Sequence, residues 1–423
     1  MQTLNTLLER RSPVALINTR EDSLDLGAKP SPRGFGLFPG NRPGKDLLED
    51  SLFVTVCVAL ALALRLALFP HETYDYHNYL SHWYDHLRQN GFQGFKTGFS
   101  DYTPPYLYFL WLATHLPLPK LYAIKSISLV GDFALAFVVL LLVRLKYDRR
   151  SVWLAAFAAA LFAPSIFFNS ALWGQCDVIF TTFLLAALYC LLRDWPGRAL
   201  LFFSIAFAFK LQAFFLLPLF LVSWTKGKLP LKYFLLIPAV YLTLCLPALL
   251  SGRPLSELLT IYLGQANTYP SLTSSAPNLY QWLPNKADVF GRPGLIFAAT
   301  LVGGLCYACL KSETPWGERL TVRLALASAI LVPFTLPYMH ERYFYAADCI
   351  AIVYGFYFPR RFYIPLAVIT ISLFSYFPFL FGDMTVIKLP YLALCLAVVL
   401  VIVLVDLFKD LYPSSARHNV VAE

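Results

Sequence analysis

The sequence predicts an all-α polytopic membrane protein with about twelve transmembrane helices. Of its 423 residues, 58% are hydrophobic and only 14% are charged, whereas soluble domains carry about 25% charged residues. The mean hydropathy is +0.59. Apolar runs of roughly 17–25 residues, the length needed to cross ~30 Å of hydrocarbon, recur from residue 51 to the end. Most of the chain is therefore expected to lie in lipid.

The apolar runs follow an N-terminal segment, residues 1–50, that contains Pro and Gly and seven Lys/Arg. This segment lacks the apolar core of a signal peptide, so it is expected to be a disordered cytoplasmic tail. The apolar runs are 51–69, 121–143, 152–168, 175–192, 199–224, 231–250, 293–310, 320–337, 343–358, 361–379 and 387–408.

Two segments decide how many times the chain crosses the membrane. As a helix, "PPYLYFLWLATHL" (104–116) would cover about 20 Å, so it is expected to be interfacial or re-entrant. The run at 199–224 is interrupted by Lys210 and Gln212. A lysine at the centre of a span costs roughly 2.5–3.5 kcal/mol, so two short arms that meet at a polar turn are expected. With 104–116 counted as non-spanning and 199–224 counted as a hairpin of two crossings, the chain crosses the membrane twelve times.

The distribution of Lys and Arg supports this arrangement. One side receives 15 Lys/Arg from five basic loops and a C-terminal tail, 409–423, together with the seven of the N-terminal tail. Each short loop on the other side holds at most one. The positive-inside rule then places both termini in the cytoplasm, and we expect a plasma membrane, the inner membrane of a bacterium. The extracytoplasmic face receives a first loop, 70–120, and a long loop, 251–292.

Several ligand classes are disfavoured. The net charge of +9 is expected from membrane orientation, because no basic face is combined with a nucleic-acid recognition motif. The sequence has no phosphate-binding glycine loop and no Asp-x-Asp motif for a metal–nucleotide complex. Cys306 and Cys309 form a single C-x-x-C inside an apolar run and are expected to pack rather than to bind metal. No cofactor, metal or nucleic-acid partner is therefore indicated.

The unusual polar residues gather on the predicted extracytoplasmic face. Glu72 and Asp75 follow the first span among tyrosines and histidines, and Asp101 precedes "YTPPY". The simplest interpretation is an interfacial aromatic belt with solvated acids and, for Asp101, a helix cap. Two further features are harder to explain in this way: Lys210 needs an anion or a carboxylate partner, and "HERYFY" (340–345) places a His, a Glu and an Arg side by side.

The order of these motifs resembles the GT-C superfamily of integral-membrane glycosyltransferases. Within it, the bacterial relatives of the second GPI-anchor mannosyltransferase and of polyprenol-phosphate-mannose-dependent mannosyltransferases are the most similar. The resemblance covers roughly residues 50–345 and implies a catalytic transmembrane module at 51–250. C-terminal transmembrane helices are expected at 293–408. The motifs are "DYTPPYLYF" (101–109), "NSALWGQCDV" (169–178), "KLQAFFLLP" (210–218), "PNLYQW" (277–282) and "MHERYFY" (339–345).

The resemblance implies a function and a set of residues. A hexose would move with inversion and without a nucleotide from a polyprenyl-phosphate sugar to a hydroxyl of a lipid-linked or glycan acceptor. The resemblance alone implies mannose, and the residues leave glucose, arabinose or another sugar open. Asp75 is the implied catalytic base, and Glu72 or Asp101 are alternatives as base or acceptor contact. The residues implied to contact the donor phosphate are Lys210, His340 and Arg342, and those implied to support the site are Trp173, Gln175, Asp177, Gln212, Asn278 and Glu341.

A transporter or flippase of a lipid-linked or anionic solute is the alternative function. Charged residues in broken helices are also typical of transporters. However, the sequence shows no internal repeat that relates its two halves, and its polar groups gather on one face rather than at the midplane.

Overall fold

The computed structural model describes residues 44–268, 271–382 and 384–413. Most of the expected N-terminal tail, and the C-terminal tail from residue 414, lie outside these ranges. The chain divides into two compact units, Met1–Phe53 and Val54–Glu423. Of the first unit only residues 44–53, the start of a helix, are described. The second unit contains all the other described residues.

The described residues are almost entirely helical. Two short strands, β1 (Thr273–Ser274) and β2 (Met339–His340), pair in parallel. The helices are α1 (Gly44–Leu68), α2 (Ser81–Asn90), α3 (Pro104–Ala113), α4 (Lys120–Lys146), α5 (Arg150–Phe162), α6 (Pro164–Phe167), α7 (Asp177–Leu192), α8 (Pro196–Phe209), α9 (Leu217–Thr225), α10 (Leu236–Leu250), α11 (Leu255–Thr268), α12 (Ala287–Lys311), α13 (Glu318–Thr335), α14 (Tyr345–Tyr357), α15 (Tyr363–Leu380) and α16 (Leu389–Leu411).

Long apolar helices confirm the all-α membrane class. Six helices in the described ranges are long and apolar enough to cross a membrane, and a seventh span arises if Arg150–Phe162 and Pro164–Trp173, bent by 43°, count as one broken span. The structure therefore supports six or seven spans by length and composition rather than the expected twelve. The six helices are Leu48–Leu68, Lys120–Lys146, Leu231–Leu250, Ala287–Lys311, Pro359–Leu380 and Leu389–Leu411.

The difference arises because several apolar runs form short or interrupted helices. The run at 175–192 is the 16-residue α7, and the run at 343–358 is the 13-residue α14, which covers only about 20 Å. The run at 199–224 is broken where expected: α8 ends at Phe209, Lys210 is extended, and a 3₁₀ turn, Leu211–Leu216, leads into α9.

The short helix expected within 104–116 is present as α3, and its interfacial position stays a prediction. Its 10 residues cover about 15 Å, too little to cross a bilayer. The expected cap by Asp101 is wrong, because the cap position is Thr103 and no side chain caps the helix. The Thr103 hydroxyl instead donates to the carbonyl of Phe209 at 3.0 Å. Together with the stacking of Phe109 on Phe209, 5.7 Å between ring centroids, this contact fixes α3 against the end of α8.

Three expected segment boundaries also differ from the structure. Helix α1 begins at Gly44, within the segment expected to be a tail, and α16 continues to Leu411. The expected long loop, 251–292, contains α11 and the first residues of α12. Its central part is joined by the β1–β2 pairing to the "MHERYFY" motif (339–345), with Thr273 opposite Met339 and Ser274 opposite His340.

A buried ion pair joins α1 to α4 inside the helical bundle. Arg65 Nε lies 2.6 Å from Asp132 Oδ2, and both residues are at most 1% exposed. Arg65 Nη2 also donates to the carbonyl of Leu161 at 3.0 Å, at the end of α5, where a helix leaves its last carbonyls without partners. The Ser170 hydroxyl donates to Asp132 Oδ2 at 2.5 Å. The pair therefore fixes the irregular segment that follows α5.

A second group of ion pairs lies near the ends of α13, α14 and α16. Arg361 donates from Nε and Nη2 to the two carboxylate oxygens of Asp406, each at 2.7 Å. The guanidinium of Arg323 lies 3.0 Å from Asp410. These pairs join α13, and the turn that follows α14, to the C-terminal end of α16.

Candidate active site

Asp75 accepts hydrogen bonds from a distant part of the chain. It lies just before a turn of π-helix, Tyr76–Leu80, and is only 7% exposed. Trp173 Nε1 donates to its Oδ2 at 2.9 Å, and the amide of Gln175 donates to the same oxygen. Arg342 Nη1 lies 3.7 Å from Oδ2. Within the part of the chain that the structure describes, Oδ1 makes no hydrogen bond, so Asp75 is held by one oxygen and presents the other.

The segment that presents Trp173 and Gln175 is itself irregular. Residues Phe168–Trp173 form a π-helix that ends at Gly174, whose φ of +82° lies in the left-handed region. Turns of π-helix are frequent at functional sites. The left-handed residue reverses the chain so that Trp173 and Gln175 both reach Asp75. The indole of Trp173 is fully buried and stacks on Phe379 at 4.9 Å between centroids.

Gln175 is oriented by contacts at two atoms. Its Oε1 accepts from the hydroxyl of Tyr102 at 3.1 Å, and its carbonyl accepts from the hydroxyl of Ser128 at 2.6 Å. With Oε1 occupied by a donor, the amide nitrogen is the atom that faces Asp75. The first loop, the Gln175 segment and α4 are thereby connected through one residue, by its side chain to Tyr102 and by its backbone carbonyl to Ser128.

Asp177 is the second carboxylate of the site and is the partner that Lys210 was expected to need. Lys210 Nζ contacts Asp177 Oδ1 directly, and Asn169 Nδ2 donates to Oδ2 at 3.0 Å. Lys210 reaches this position because the chain is extended at the break between α8 and the 3₁₀ turn. Its ammonium also lies 5.3 Å from the ring centroid of Tyr102, a cation–π contact.

Arg342 lies between the acidic residues. Its Nη1 is 3.7 Å from Asp75 and its Nε is 3.9 Å from Asp177, and Nη1 is 3.6 Å from Glu341 Oε1. Burial lowers the pKa of Arg342, but the carboxylates, Asp75 first among them, more than offset burial and raise that pKa well above its usual value. The guanidinium is 5.6 Å from the ring centroid of Trp173. The site therefore combines two fixed cations with carboxylates on either side.

Burial shifts the pKa of His340 and of Glu341, the two residues that precede Arg342. Burial, with the charges of Arg342 and Lys210, lowers the pKa of His340 to about 3. The ring of His340 is therefore neutral at physiological pH, and a neutral imidazole carries one N–H donor. The contact between His340 and the donor phosphate stays a prediction. Burial raises the pKa of Glu341 to about 7 despite the neighbouring Arg342, so Glu341 titrates in the physiological range.

Some predicted residues lie apart from this cluster. Glu72 forms an exposed ion pair with His77 at 3.0 Å, which disfavours it as the base. Asp101 is partly exposed, its carbonyl accepts from Gln265, and burial raises the pKa of its carboxyl group. No contact joins either side chain to Arg342 or Lys210 among the described residues.

Asn278 and Gln212 each lie at a 3₁₀ turn. The Asn278 side chain caps the 3₁₀ turn Leu279–Trp282 by accepting from the backbone N–H of Tyr280 at 3.2 Å, and it donates to the carbonyl of Leu336 at 3.3 Å. These contacts fix the turn on which Asn278 lies. Gln212 is buried in the turn that follows Lys210, and its Oε1 accepts no hydrogen bond within the described ranges.

Sequence reasoning missed three buried charges next to the site: Arg65, Lys125 and Asp132, each at most 1% exposed. The signal was present, because each stands inside an apolar run and ionisable residues within membrane spans usually mark functional or structural centres. No group of three or more His, Cys, Asp or Glu residues among those described is arranged to hold a metal ion.

Comparisons with known proteins add no relative. No protein-family model matches the chain, and no curated protein matches it. The resemblance to the GT-C superfamily therefore rests on the motifs quoted above alone.

Proposed function

We propose that this protein is a membrane glycosyltransferase that moves a hexose, mannose by resemblance, from a polyprenyl-phosphate sugar to a hydroxyl of a lipid-linked or glycan acceptor. One observation carries the proposal. The buried Asp75 is held through Oδ2 by Trp173 and Gln175 while Oδ1 makes no hydrogen bond among the described residues, and a guanidinium lies 3.7 Å away. A general base needs a fixed carboxylate with an oxygen left for the proton, and a phosphate leaving group needs a fixed cation.

The transfer is a single displacement. Asp75 Oδ1 accepts the proton of the acceptor hydroxyl as the hydroxyl oxygen forms a bond to the anomeric carbon. The bond between that carbon and the phosphate oxygen breaks on the opposite side, and its electron pair stays on the phosphate. Inversion at the anomeric carbon follows. Arg342 and Lys210 stabilise the growing negative charge, and the neutral His340 is in place to donate one hydrogen bond to the phosphate.

Membrane sidedness is a second part of the proposal. The Lys/Arg distribution supports cytoplasmic termini and an extracytoplasmic site. The absence of any N-x-[ST] sequon from the sequence favours a bacterial plasma membrane over an endoplasmic reticulum. Twelve crossings then require that shorter helices such as α7, α8 and α14 cross as well. Short helices are tolerated where protein surrounds them or where the bilayer thins.

The test is transfer by the purified full-length chain in nanodiscs. Polyprenyl-phosphate mannose and polyprenyl-phosphate glucose are offered with extracted envelope glycolipids, and products are identified by mass spectrometry. Asp75→Asn should lower turnover by about 10²–10⁴-fold, the usual contribution of a general base, while donor binding is retained. Glu72→Gln is the matched control in the same loop and should keep turnover within about threefold. Near wild-type transfer by Asp75→Asn contradicts the assignment.

A lipid flippase is the second candidate, because two features also fit transport. The charged pair Arg65–Asp132 lies inside the helical bundle, and the helix pair Arg150–Phe162 and Pro164–Trp173 is bent by 43°; broken helices are typical of transporters. In liposomes without acceptor, a flippase exposes fluorescent polyprenyl phosphate on both leaflets, whereas a transferase leaves its distribution unchanged.

A further inference from the structure

Lys125 makes an unusual set of contacts. It lies in the second turn of α4 and is 1% exposed. Its ammonium group donates to three backbone carbonyls, those of Phe69 at 3.0 Å, His71 at 2.6 Å and Leu172 at 2.9 Å. An ammonium has three N–H donors, so all three are used. No carboxylate contacts Nζ among the described residues.

The three carbonyls belong to the two segments that build the site. Phe69 and His71 lie in the stretch of chain that leads from α1 to Asp75, and Leu172 directly precedes Trp173. A further hydrogen bond joins the same segments, from the Thr73 hydroxyl to the carbonyl of Trp173 at 3.2 Å. One ammonium therefore sets the spacing between the segment that carries the carboxylate and the segment that holds it.

The free-energy cost of burying Lys125 indicates that its three hydrogen bonds have a specific role. Burying a lysine without a carboxylate partner is expensive, and a methionine would fill the same volume without that cost. The carbonyls of Phe69 and His71 lie outside regular helix, and Leu172 lies in a π-turn, so their positions are not fixed by helical hydrogen bonding alone. Lys125, which lies in α4, supplies an N–H donor to each of these three carbonyls.

We propose that Lys125 is a positioning residue for Asp75: by binding three carbonyls it holds the first loop against the π-turn at Phe168–Trp173, so that Trp173 and Gln175 reach Asp75 Oδ2. This inference rests on the proposed function for its catalytic consequence, but the structural connection that it describes stands independently. Lys125 itself touches neither the carboxylate of Asp75 nor the donor site.

Substitution of Lys125 should lower kcat and leave the KM for the donor nearly unchanged. Lys125→Met removes all three donors, so Asp75 loses its orientation and kcat should fall by about 10–100-fold, because misplacement of a reacting group by about 1 Å costs up to 10² in rate. The KM for polyprenyl-phosphate mannose should stay within about threefold, since Lys210 and Arg342 are untouched. Lys125→Gln keeps two N–H donors and should give an intermediate kcat.

Hydrogen exchange provides a readout that does not depend on activity. In Lys125→Met, amide exchange should rise about tenfold or more in peptides that cover 69–80 and 168–176 and stay unchanged in α12 and α16. Lys120→Met is the matched control on the same helix: Lys120 is partly exposed and bonds Ser81 and Asp85, and a surface pair of this kind contributes little. Arg361→Met, which breaks the distant pair with Asp406, should lower Tm without changing exchange in the two segments.

The outcomes are distinct. A rise in exchange confined to the two segments, graded from Met to Gln, supports the proposal. Unchanged exchange in both variants overturns it, and so does a uniform rise across the chain, which would show a general structural role. If the wild-type protein transfers no sugar, the glycosyltransferase proposal fails while the exchange pattern still decides the role of Lys125.

Discussion

Arg342 is the side chain at which the acidic groups of the site converge, and its contacts make it the strongest candidate for gripping a phosphate. Its distances of 3.7 and 3.9 Å to Asp75 and Asp177 are longer than hydrogen bonds, and its Nε makes no hydrogen bond within the described ranges. Lys210, in contrast, is already in direct contact with Asp177. The guanidinium therefore has donor capacity left for a substrate.

Arg342→Ala should weaken binding of polyprenyl-phosphate mannose more than Lys210→Ala does. A hydrogen bond to a charged group contributes about 1.5–3 kcal/mol, so the loss expected for Arg342→Ala is roughly 10–150-fold in Kd. Calorimetry in nanodiscs measures it, with Lys120→Ala as the control outside the site. An unchanged Kd in Arg342→Ala would show that the arginine is structural only.

Glu341 should make donor affinity depend on pH. Its pKa is raised to about 7. Below that pH Glu341 is protonated and neutral, so Arg342 is available to bind the phosphate. Above that pH Glu341 is ionised and competes with the phosphate for Arg342. Affinity for polyprenyl-phosphate mannose should therefore fall as pH rises through 7. His340, with its pKa of about 3, stays neutral throughout this window and contributes no change.

The comparison variant is Glu341→Gln, measured between about pH 6 and 8, one unit on either side of the Glu341 pKa of about 7. Its affinity should be flat over that range, because the titrating group has been removed. A wild-type profile and a variant profile with the same slope would assign the pH dependence to another group.

At the level of elements, the π-turn at Phe168–Trp173 and the left-handed Gly174 after it set the direction of two side chains. Gly174→Ala places a Cβ at a φ of +82°, where an L-residue is disfavoured by about 1–2 kcal/mol. The nearest atoms, of Lys125, are 3.5 Å away, so no clash adds to this strain. We expect a lower Tm and a kcat reduced by about tenfold.

Gly303→Ala is the control for that substitution. Gly303 lies within α12, and an added Cβ would meet nothing within 4 Å among the described residues. Since alanine is favoured over glycine inside a helix by roughly 0.5–1 kcal/mol, this variant should be as stable as the wild type or slightly more so. Equal losses of kcat in both variants would show that the conformation of Gly174 is not what matters.

The sequence predicted those elements that depend on local patterns. The break at Lys210 followed from a charge inside an apolar run, and the short α3 followed from its length and its two prolines. The π-turns could not be predicted, because a single i→i+5 turn leaves no periodic signal. The pairing of Lys210 with Asp177 depends on which helices pack together. Glu72 could not be separated from Asp75 by sequence, since both lie in the same polar loop and differ only in tertiary burial.

At the scale of the whole molecule, the arrangement across the membrane can be tested by labelling. His77 and Asp194 have side chains that are 60% and 75% exposed, and the Lys/Arg distribution predicts that they lie on opposite faces. A membrane-impermeant maleimide should label His77→Cys in intact spheroplasts and Asp194→Cys only after permeabilisation. The wild type, with its natural cysteines mostly buried, gives the background. Labelling of Asp194→Cys in intact cells would contradict the predicted orientation.

The ion pair between Arg65 and Asp132 also has a consequence for how the chain enters the membrane. The partners are 67 residues apart, so at about 5–20 residues per second the ribosome makes Asp132 roughly 3–13 s after Arg65. During that interval α1 carries an unpaired arginine in its last turn, where the cost in lipid lies below the roughly 2.5–3.5 kcal/mol of an arginine at the centre of a span. Helix α1 is therefore expected to stay in contact with the insertion machinery until α4 emerges, and the two helices should leave it as a pair.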